Sequence, residues 1–452
     1  MKSEHVRELV TGLNYSGACV VGDREIYAEI FCFDGKSSLE SPNVWFFEKK
    51  DAQILSLHDC IEQSACCGVR SFEEGDHIFH HKISANIAVI GPTKWGESDK
   101  ISSVRFRIPG AKEALWRLDE LEALQKVPNQ NFDNHAISCK MDCCNVDVYY
   151  TFAVDMMIGV NSYDFYFHLS FKEGKSIYEY FDYVLNIVSF FSFLSGKKFR
   201  PSDIYIRNHT VKQNIKPKME EYLETEHKVV YLWGEGSREE NFSGYGLPIL
   251  IRRVNDEKIV FPECMKQWMQ RSPRWNDAYA AMMGYLQKRD YLSADRLLAL
   301  CVWLEEIPET RPSSAVDKNT INEVAKSAAQ KCKELGAPKF AERVINAIKD
   351  RNTESRSDYI DRIRILLANR FGSEVFDEDI RQHILAGGSF RGRAAHGSFD
   401  SVLEIESRSF QHALYALEAF CAGRTLLDLK LTDSAIERLE RQSWFSPYRR
   451  RI

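Results

Sequence analysis

The residues best suited to chemistry lie in one short segment, residues 387–397, which reads Gly-Gly-Ser-Phe-Arg-Gly-Arg-Ala-Ala-His-Gly. Four residues separate its Arg391 from its His396. An imidazole titrates near neutrality and can take or donate a proton. A guanidinium keeps its charge and can hold two anionic oxygens at once. The pair is therefore suited to acid–base chemistry on a negatively charged group, and Arg393 supplies a second cation.

Helices are predicted on both sides of this segment, because from Trp275 onward almost every stretch has helical periodicity. Ser293 is a predicted N-cap for the first of them. The predicted helices are Ala294–Glu306, Asn319–Leu335, Pro338–Lys349, Asp358–Arg370, Glu378–Leu385 and, from about position 401, Ser401–Leu429. Residues 387–397 would thus connect the last two helices of an all-α bundle.

The N-terminal half has a different pattern, dominated by runs of β-branched and aromatic residues that predict strands. These runs are Asn43–Phe47, Ile83–Ile90, Val104–Ile108, Val146–Val160 and Tyr163–Phe171, the last two joined by a turn at Asn161 and Ser162. A helix over Ile177–Leu194, ended by Gly196, follows them. The chain is therefore predicted to be α+β, with a β-rich domain at 1–265, a helical domain at 266–430 and a basic tail at 431–452.

Composition limits the partners. The 452 residues carry a net charge of -5, so contact with a nucleic acid would need a local basic patch. The longest strongly apolar stretch, Val184–Leu194, is about half the roughly 20 residues that cross a bilayer. With no export signal at the N-terminus, we expect a cytoplasmic protein without a membrane partner, and reduced cysteines.

In its spacing of Arg391 and His396 within a helical domain, the chain resembles the HEPN superfamily. The order of a β-rich domain, a helix ending in Ser195-Gly196-Lys197-Lys198, a strand after Pro201 and then the bundle is similar to the ApeA family of bacterial anti-phage proteins. The resemblance covers most of the chain, but only the Arg391–His396 motif is specific. It departs at Gly392, where family members commonly have a polar residue.

This resemblance implies a metal-independent RNA endonuclease that needs no cofactor and acts in abortive infection. His396 would transfer the proton and Arg391 would stabilise the charge on the phosphoryl oxygens. Arg393 would assist or clamp the RNA. Independently of the resemblance, Glu305 and Glu306 end the predicted helix Ala294–Glu306, and in a four-helix arrangement one of them could face the motif and orient His396 or Arg391. The expected products carry 2′,3′-cyclic phosphate and 5′-hydroxyl ends. Transfer RNA is the first substrate to test, and a phage-derived trigger is expected.

The spacing also favours a homodimer. Residues five apart on an ideal helix differ by about 140° around its axis, so Arg391 and His396 would not share one face. Either the helix begins between Arg391 and His396, or the groups that act with each of them come from elsewhere. HEPN proteins resemble each other in joining two copies of the motif across a two-fold axis.

Other interpretations remain open. Arg391 and Arg393 could pair with Asp377, Glu378 or Asp379 and leave His396 as a packing residue, in a protein that only dimerises or binds RNA. The basic tail, with Trp444, Phe445 and Tyr448 between arginines, could contact RNA or could be solvated or packed. A zinc site is a further alternative. Its candidate ligands are His58, Cys60, Cys66, Cys67, His77, His80, His81, Cys139, Cys143 and Cys144.

Overall fold

The computed structural model divides the chain into two compact units. The first comprises 1–188, 199–245 and 252–255, and the second comprises 189–198, 246–251 and 256–452. The predicted division after residue 265 falls inside a helix of the second unit, Glu257–Gln270. The residues that the structure describes are 7–12, 15–22, 25–32, 43–49, 51, 53–70, 77–111, 135–155, 159–208, 226–232, 257–308, 318–350, 355–396, 407–433, 436 and 444–449.

The first unit is built on an antiparallel sheet. Its described strands lie in the order β3-β2-β1-β4-β5-β6-β12-β11-β7-β10-β9-β8, and β3 also pairs with β6. The strands are β1 Arg7–Gly12, β2 Tyr15–Val21, β3 Ile26–Cys32, β4 Val44–Lys49, β5 Ile54–Arg70, β6 His77–Gly91, β7 Ile101–Arg107, β8 His135–Lys140, β9 Cys144–Asp155, β10 Gly159–Lys175, β11 Ser202–Asn208 and β12 His227–Tyr231.

Alternating side chains give the sheet a buried and a polar face. Phe106 on β7 pairs with Phe167 on β10, and both rings are fully buried with centroids 5.4 Å apart. Arg105 and His168, one position along, are partner residues on the opposite face and are half-buried. The period-2 pattern in the sequence is therefore the pattern of burial in the sheet.

The hairpin of β9 and β10 turns earlier than the sequence predicts. Asp155 at the end of β9 pairs with Gly159 at the start of β10, so Asn161 and Ser162 lie within a strand and not at the turn. The register shifts between Val160 and Ser162. The prediction of a turn at Asn161-Ser162 is wrong because an irregularity of the β-bulge type accommodates these polar residues inside the strand.

Helix α1, Glu179–Ser195, agrees closely with the helix predicted over 177–194. Gly196 adopts φ 68°, and the N–H of Lys197 donates to the carbonyl oxygen of Ser192 at 3.1 Å. This left-handed C-cap is the role that the sequence predicts for Gly196. Residues 189–195 of α1 belong to the second unit.

The second unit is helical in its described residues, and with the sheet of the first unit it makes the chain α+β, as predicted. Its remaining helices are α2 Glu257–Gln270, α3 Ser272–Leu286, α4 Ala294–Glu306, α5 Lys318–Glu334, α6 Pro338–Asp350, α7 Arg356–Phe371, α8 Glu378–Ala395, α9 Arg408–Leu426 and α10 Ser446–Arg449. Among the helices of the described residues, none has the length and apolar character needed to cross a bilayer.

Serine N-caps fix the starts of three of these helices, α4, α7 and α9, and Ser355 is the cap of α7. Ser293 accepts a hydrogen bond from the N–H of Arg296 at 3.1 Å, which confirms the predicted start of α4. Ser407 accepts one from the N–H of Phe410, so α9 begins at Arg408. The start that the sequence predicts near Ser401 lies outside the described residues.

A buried carboxylate joins three segments of the second unit. Glu418 on α9 is fully buried and accepts hydrogen bonds from Arg289, from Arg296 at 2.6 Å and from the Tyr285 hydroxyl at 2.7 Å. Arg289 also donates to the carbonyl oxygen of Gly196 at 2.9 Å. Burial alone raises the pKa of Glu418, but the two arginine charges and the tyrosine hydrogen bond outweigh it and hold the pKa below its usual value.

Glu418→Ala should destabilise the protein by roughly 3–5 kcal/mol, because it leaves two arginines with an uncompensated buried charge. Chemical denaturation followed by tryptophan fluorescence measures this loss. Since the pKa of Glu418 is lower in the folded than in the unfolded protein, the contribution is full above about pH 4.3 and is lost as pH falls through the folded value.

The matched control is Glu378→Ala, which removes a carboxylate whose side chain is 61% exposed and pairs with Arg364 and Arg381. Its loss should cost about 1 kcal/mol or less. Equal effects of the two substitutions would contradict a dominant role for the buried carboxylate.

Candidate active site

Helix α8 carries the arginine of the motif, and its packing explains why it continues past two glycines. Asp377 caps its start by accepting a hydrogen bond from the N–H of Ile380 at 2.9 Å. At Gly387 a Cβ atom would lie 2.5 Å from a methyl carbon of Leu417 on α9. Gly387 therefore permits a close approach of two helices and does not end one.

The sequence prediction that this helix ends at Leu385 is wrong, because the helix continues to Ala395. Arg391 consequently lies just before the last turn of α8, which contains Arg393, and His396 is the C-cap residue of the helix. The prediction that residues 387–397 connect two helices is therefore wrong for residues 387–395, which are helical. A helix C-terminus carries a partial negative charge, so any anion bound here depends on nearby cations.

Arg391 is held by Glu305, the last but one residue of α4. Two guanidinium nitrogens of Arg391 each donate to one carboxylate oxygen of Glu305, and the Nη2 to Oε2 distance is 2.9 Å. The pair is accessible, with side-chain exposures of 34% for Arg391 and 42% for Glu305. A two-point contact of this kind fixes the plane of the guanidinium and leaves its remaining N–H groups available.

The charge of Arg391 also affects the pKa of the buried Cys301 thiol, one turn before Glu305 on α4. Burial raises the pKa of this thiol to about 11, while the positive charges of Arg391 and Arg356 lower it. Arg356, the first residue of α7, was not among the predicted site residues. Nothing in its local pattern distinguishes it from other surface arginines.

His396 is exposed at the end of α8. Its backbone N–H donates to the carbonyl oxygen of Gly392 at 3.2 Å. Within the part of the chain that the structure describes, no hydrogen bond joins its side chain to Arg391 or to Glu305. The five-residue spacing on one helix accounts for this separation, since it turns the second residue by about 140°.

The third predicted residue, Arg393, is exposed on the same helix end, and its guanidinium carbon lies 4.8 Å from the ring centroid of Phe390. A Cβ atom added at Gly388 or Gly392 would meet no atom within 4 Å outside its chain neighbours and the backbone of its own helix. Gly387 differs from these two glycines because its close approach is made within the chain, against α9. The face of α8 that carries Gly388 and Gly392 is therefore open in a single copy of the described chain.

The acidic residues at the start of α8 do not hold the motif arginine. Asp377 caps the helix, and Glu378 pairs with Arg364 at 3.0 Å and with Arg381 at 3.5 Å. The partner of Arg391 is Glu305. The alternative in which residues 377–379 hold Arg391 is therefore wrong.

The aromatic residues of the C-terminal segment belong to the core, so they cannot stack on bases. Trp444 is buried, donates from its indole N–H to the carbonyl oxygen of Phe193 at 3.0 Å and stacks on that ring. Phe445 packs against Phe371 and Phe376. Large rings that fill a helical core are excluded from solvent. The interpretation of these rings as RNA contacts is wrong.

Tyr448 in the same segment contacts His383, which in turn packs against His412. Its hydroxyl is hydrogen-bonded to Nδ1 of His383 on α8 at 2.9 Å, and the His383 ring lies 5.1 Å from that of His412 on α9. Burial lowers the pKa of His383, and the neighbouring His412 lowers it further. No local sequence pattern indicates this cluster, because its three residues are distant in the chain.

Nothing in the described residues corresponds to the zinc alternative. No three histidine, cysteine, aspartate or glutamate side chains there come together in an arrangement that could hold a metal ion. The side chains of Cys66, Cys67 and His77 lie outside the described set.

Comparisons with family models, with curated proteins and with solved structures find no match to this chain. A function must therefore be inferred from the side chains around Arg391 and His396.

His383 should titrate below its ordinary pKa of about 6.5 in an NMR titration of the histidine ring protons. His412→Ala should raise the His383 pKa, because it removes a neighbouring charge that opposes protonation. Tyr448→Phe tests the hydrogen bond separately. A His383 pKa at or above 6.5 in the wild type, unchanged in the His412 variant, would contradict the described cluster.

Proposed function

We propose that this protein is an RNA endonuclease of the HEPN type and that its C-terminal half is a HEPN-like bundle. The observation that supports the proposal is an accessible arginine held at two points by Glu305, in the same helix end as an exposed histidine. Guanidinium and imidazole are the groups that metal-independent phosphodiester cleavage needs.

In the proposed reaction the 2′-hydroxyl of the RNA attacks the adjacent phosphorus. His396 takes the proton of that hydroxyl or protonates the leaving 5′-oxygen. Negative charge grows on the non-bridging oxygens, where the N–H groups of Arg391 not used by Glu305 would stabilise it. The products are a 2′,3′-cyclic phosphate and a 5′-hydroxyl. Arg393 is placed to clamp the RNA backbone.

A homodimer through the helical domain would complete this site. Because about 140° of helix rotation separates Arg391 from His396, a second copy is the simplest source of a facing group. The open face of α8 at Gly388 and Gly392 would allow a neighbouring helix to approach closely. This face supports a two-fold contact near the motif.

We place this activity in bacterial anti-phage defence by abortive infection, with transfer RNA as the first substrate to test. The basis is the resemblance of the Arg391–His396 segment and the order of domains to the ApeA family. A phage-derived trigger would then act through the β-rich domain as sensor. The cell compartment that fits this role is the cytoplasm.

One observation favours a second candidate, a non-catalytic HEPN-like protein that binds RNA or dimerises. The motif lies at a helix C-terminus, whose partial negative charge disfavours a bound phosphate. In addition, Gly392 stands where members of the family that the chain resembles commonly have a polar residue. Such a protein would keep RNA affinity and have no cleavage activity.

His396→Ala and Arg391→Ala should each lower RNA cleavage by at least roughly 100-fold, because one removes the proton-transfer group and the other the charge stabilisation. Cleavage of total RNA in EDTA by purified protein measures this effect. Arg381→Ala, on the same helix and 32% exposed, is the matched control and should cleave normally. Equal cleavage by all three folded variants would rule out the catalytic assignment.

Glu305→Ala should lower the cleavage rate by up to roughly 100-fold, because Arg391 loses the contact that sets its plane. Glu306→Ala is a neighbouring carboxylate on the same helix and should have little effect. Glu305→Gln, which keeps one oxygen acceptor, should fall between them. A Glu305→Ala enzyme as fast as the wild type, or faster, would show that Glu305 does not position Arg391.

A further inference from the structure

The polar face of the sheet in the first unit carries a patch of arginines and tyrosines. Strand pairing places Lys228, Tyr205, Arg105 and His168 in one row across β12, β11, β7 and β10. The adjacent row begins with Arg107 on β7, which pairs with Tyr166 on β10. These side chains project from the face opposite to the buried rings, since strand residues alternate.

The side chains of this patch are already arranged in cation–π contacts. The guanidinium carbon of Arg105 lies 4.8 Å from the ring centroid of Tyr166 and 4.7 Å from that of Tyr205. Arg107 lies 5.4 Å from the same Tyr166 ring. The rings and guanidinium groups are therefore fixed relative to each other and lose little entropy when a ligand binds.

Two acidic residues orient the arginines from the side. Glu226, with 9% of its side chain exposed, bridges Arg105 at 2.7 Å and Arg207 at 3.0 Å. Asp203, at a register shift of β11 with φ 47°, pairs with Arg107 at 3.1 Å. Arg105 and Arg107 still expose 29% and 34% of their side chains.

The local charge of this face is opposite in sign to that of the chain. A third row of the same face runs from Arg207 on β11 to Lys140 on β8. Over the three rows and the acidic residues that pair with them, the described charged side chains are Arg105, Arg107, Arg207, Lys140 and Lys228 against Asp147, Asp203 and Glu226, an excess of two positive charges. The chain as a whole carries -5. This face is thus a local basic patch of the kind that contact with a polyanion requires.

We propose that this patch binds single-stranded nucleic acid. Tyr166 and Tyr205 present rings on which bases can stack, and Arg105, Arg107 and Lys228 can neutralise the phosphates between them. A β-sheet face with aromatic rings between cations is a recurrent platform for unpaired strands. The site lies in the first unit and does not depend on the proposed cleavage at Arg391.

Fluorescence anisotropy of a labelled 12-nucleotide oligodeoxythymidylate, with the full-length protein at low salt, tests the proposal. DNA has no 2′-hydroxyl, so the proposed cleavage chemistry cannot consume the probe. Tyr166→Ala and Tyr205→Ala should each weaken binding by roughly 5- to 100-fold, and Tyr166→Phe should bind like the wild type because it keeps the ring. Tyr27→Ala is the matched control, since Tyr27 contacts Lys82 at 4.8 Å in another part of the sheet.

Salt dependence separates a phosphate contact from other binding. Arg107→Gln should reduce the slope of log affinity against log salt by about 0.7, the value for one phosphate of a single strand. Binding unaffected by the tyrosine and arginine variants would place the nucleic acid elsewhere and overturn the proposal. Failure of the wild type to bind the oligonucleotide at low salt would also overturn it and would favour a protein partner for this face.

Discussion

The close approach of α8 and α9 at Gly387 is the constraint on which the candidate site depends. A Cβ atom at this position would lie 2.5 Å from a methyl carbon of Leu417, so any larger residue would require that side chain to shift. Helix α8 continues to Ala395, nearly three turns at 3.6 residues per turn beyond the predicted end at Leu385. Its packing on α9 therefore determines where Arg391 meets Glu305 on α4. The buried Glu418 on α9 accepts a hydrogen bond from Arg296 and so joins α9 to α4 from within. A surface ion pair that would contribute little to stability by itself thus has a fixed geometry.

Much of the fold could be predicted from the sequence. Helix α4 has the predicted bounds and the predicted Ser293 cap, and Gly196 ends α1 in the left-handed conformation. These signals are local, because a capping side chain or a C-terminal glycine acts within one helical turn. The prediction of a turn at Asn161 is wrong for the opposite reason, because strand register depends on the partner strand. A β-bulge type of irregularity can accommodate polar residues within a strand.

The candidate site was predictable in its residue types and not in its placement. Arg391 and His396 stand out by chemistry, but whether glycine ends a helix or admits a neighbour depends on α9, which the local pattern does not contain. The basic tail shows the same limit. Its sequence leaves open whether Trp444 and Phe445 contact RNA, are solvated or are packed, and only their contacts with α1, α3 and α7 show that they are buried. The Arg105 patch required strand order, because β7, β10 and β11 are far apart in the chain.

The end groups of RNA cut in EDTA test the central claim most directly, because they report which oxygen attacked the phosphorus. If His396 and Arg391 act on the 2′-hydroxyl, every new end carries a 2′,3′-cyclic phosphate or a 5′-hydroxyl, and an RNA with 2′-O-methyl groups at the cleaved positions is resistant. New ends with a 3′-hydroxyl and a 5′-phosphate, or cleavage of the methylated RNA at the same rate, would contradict it.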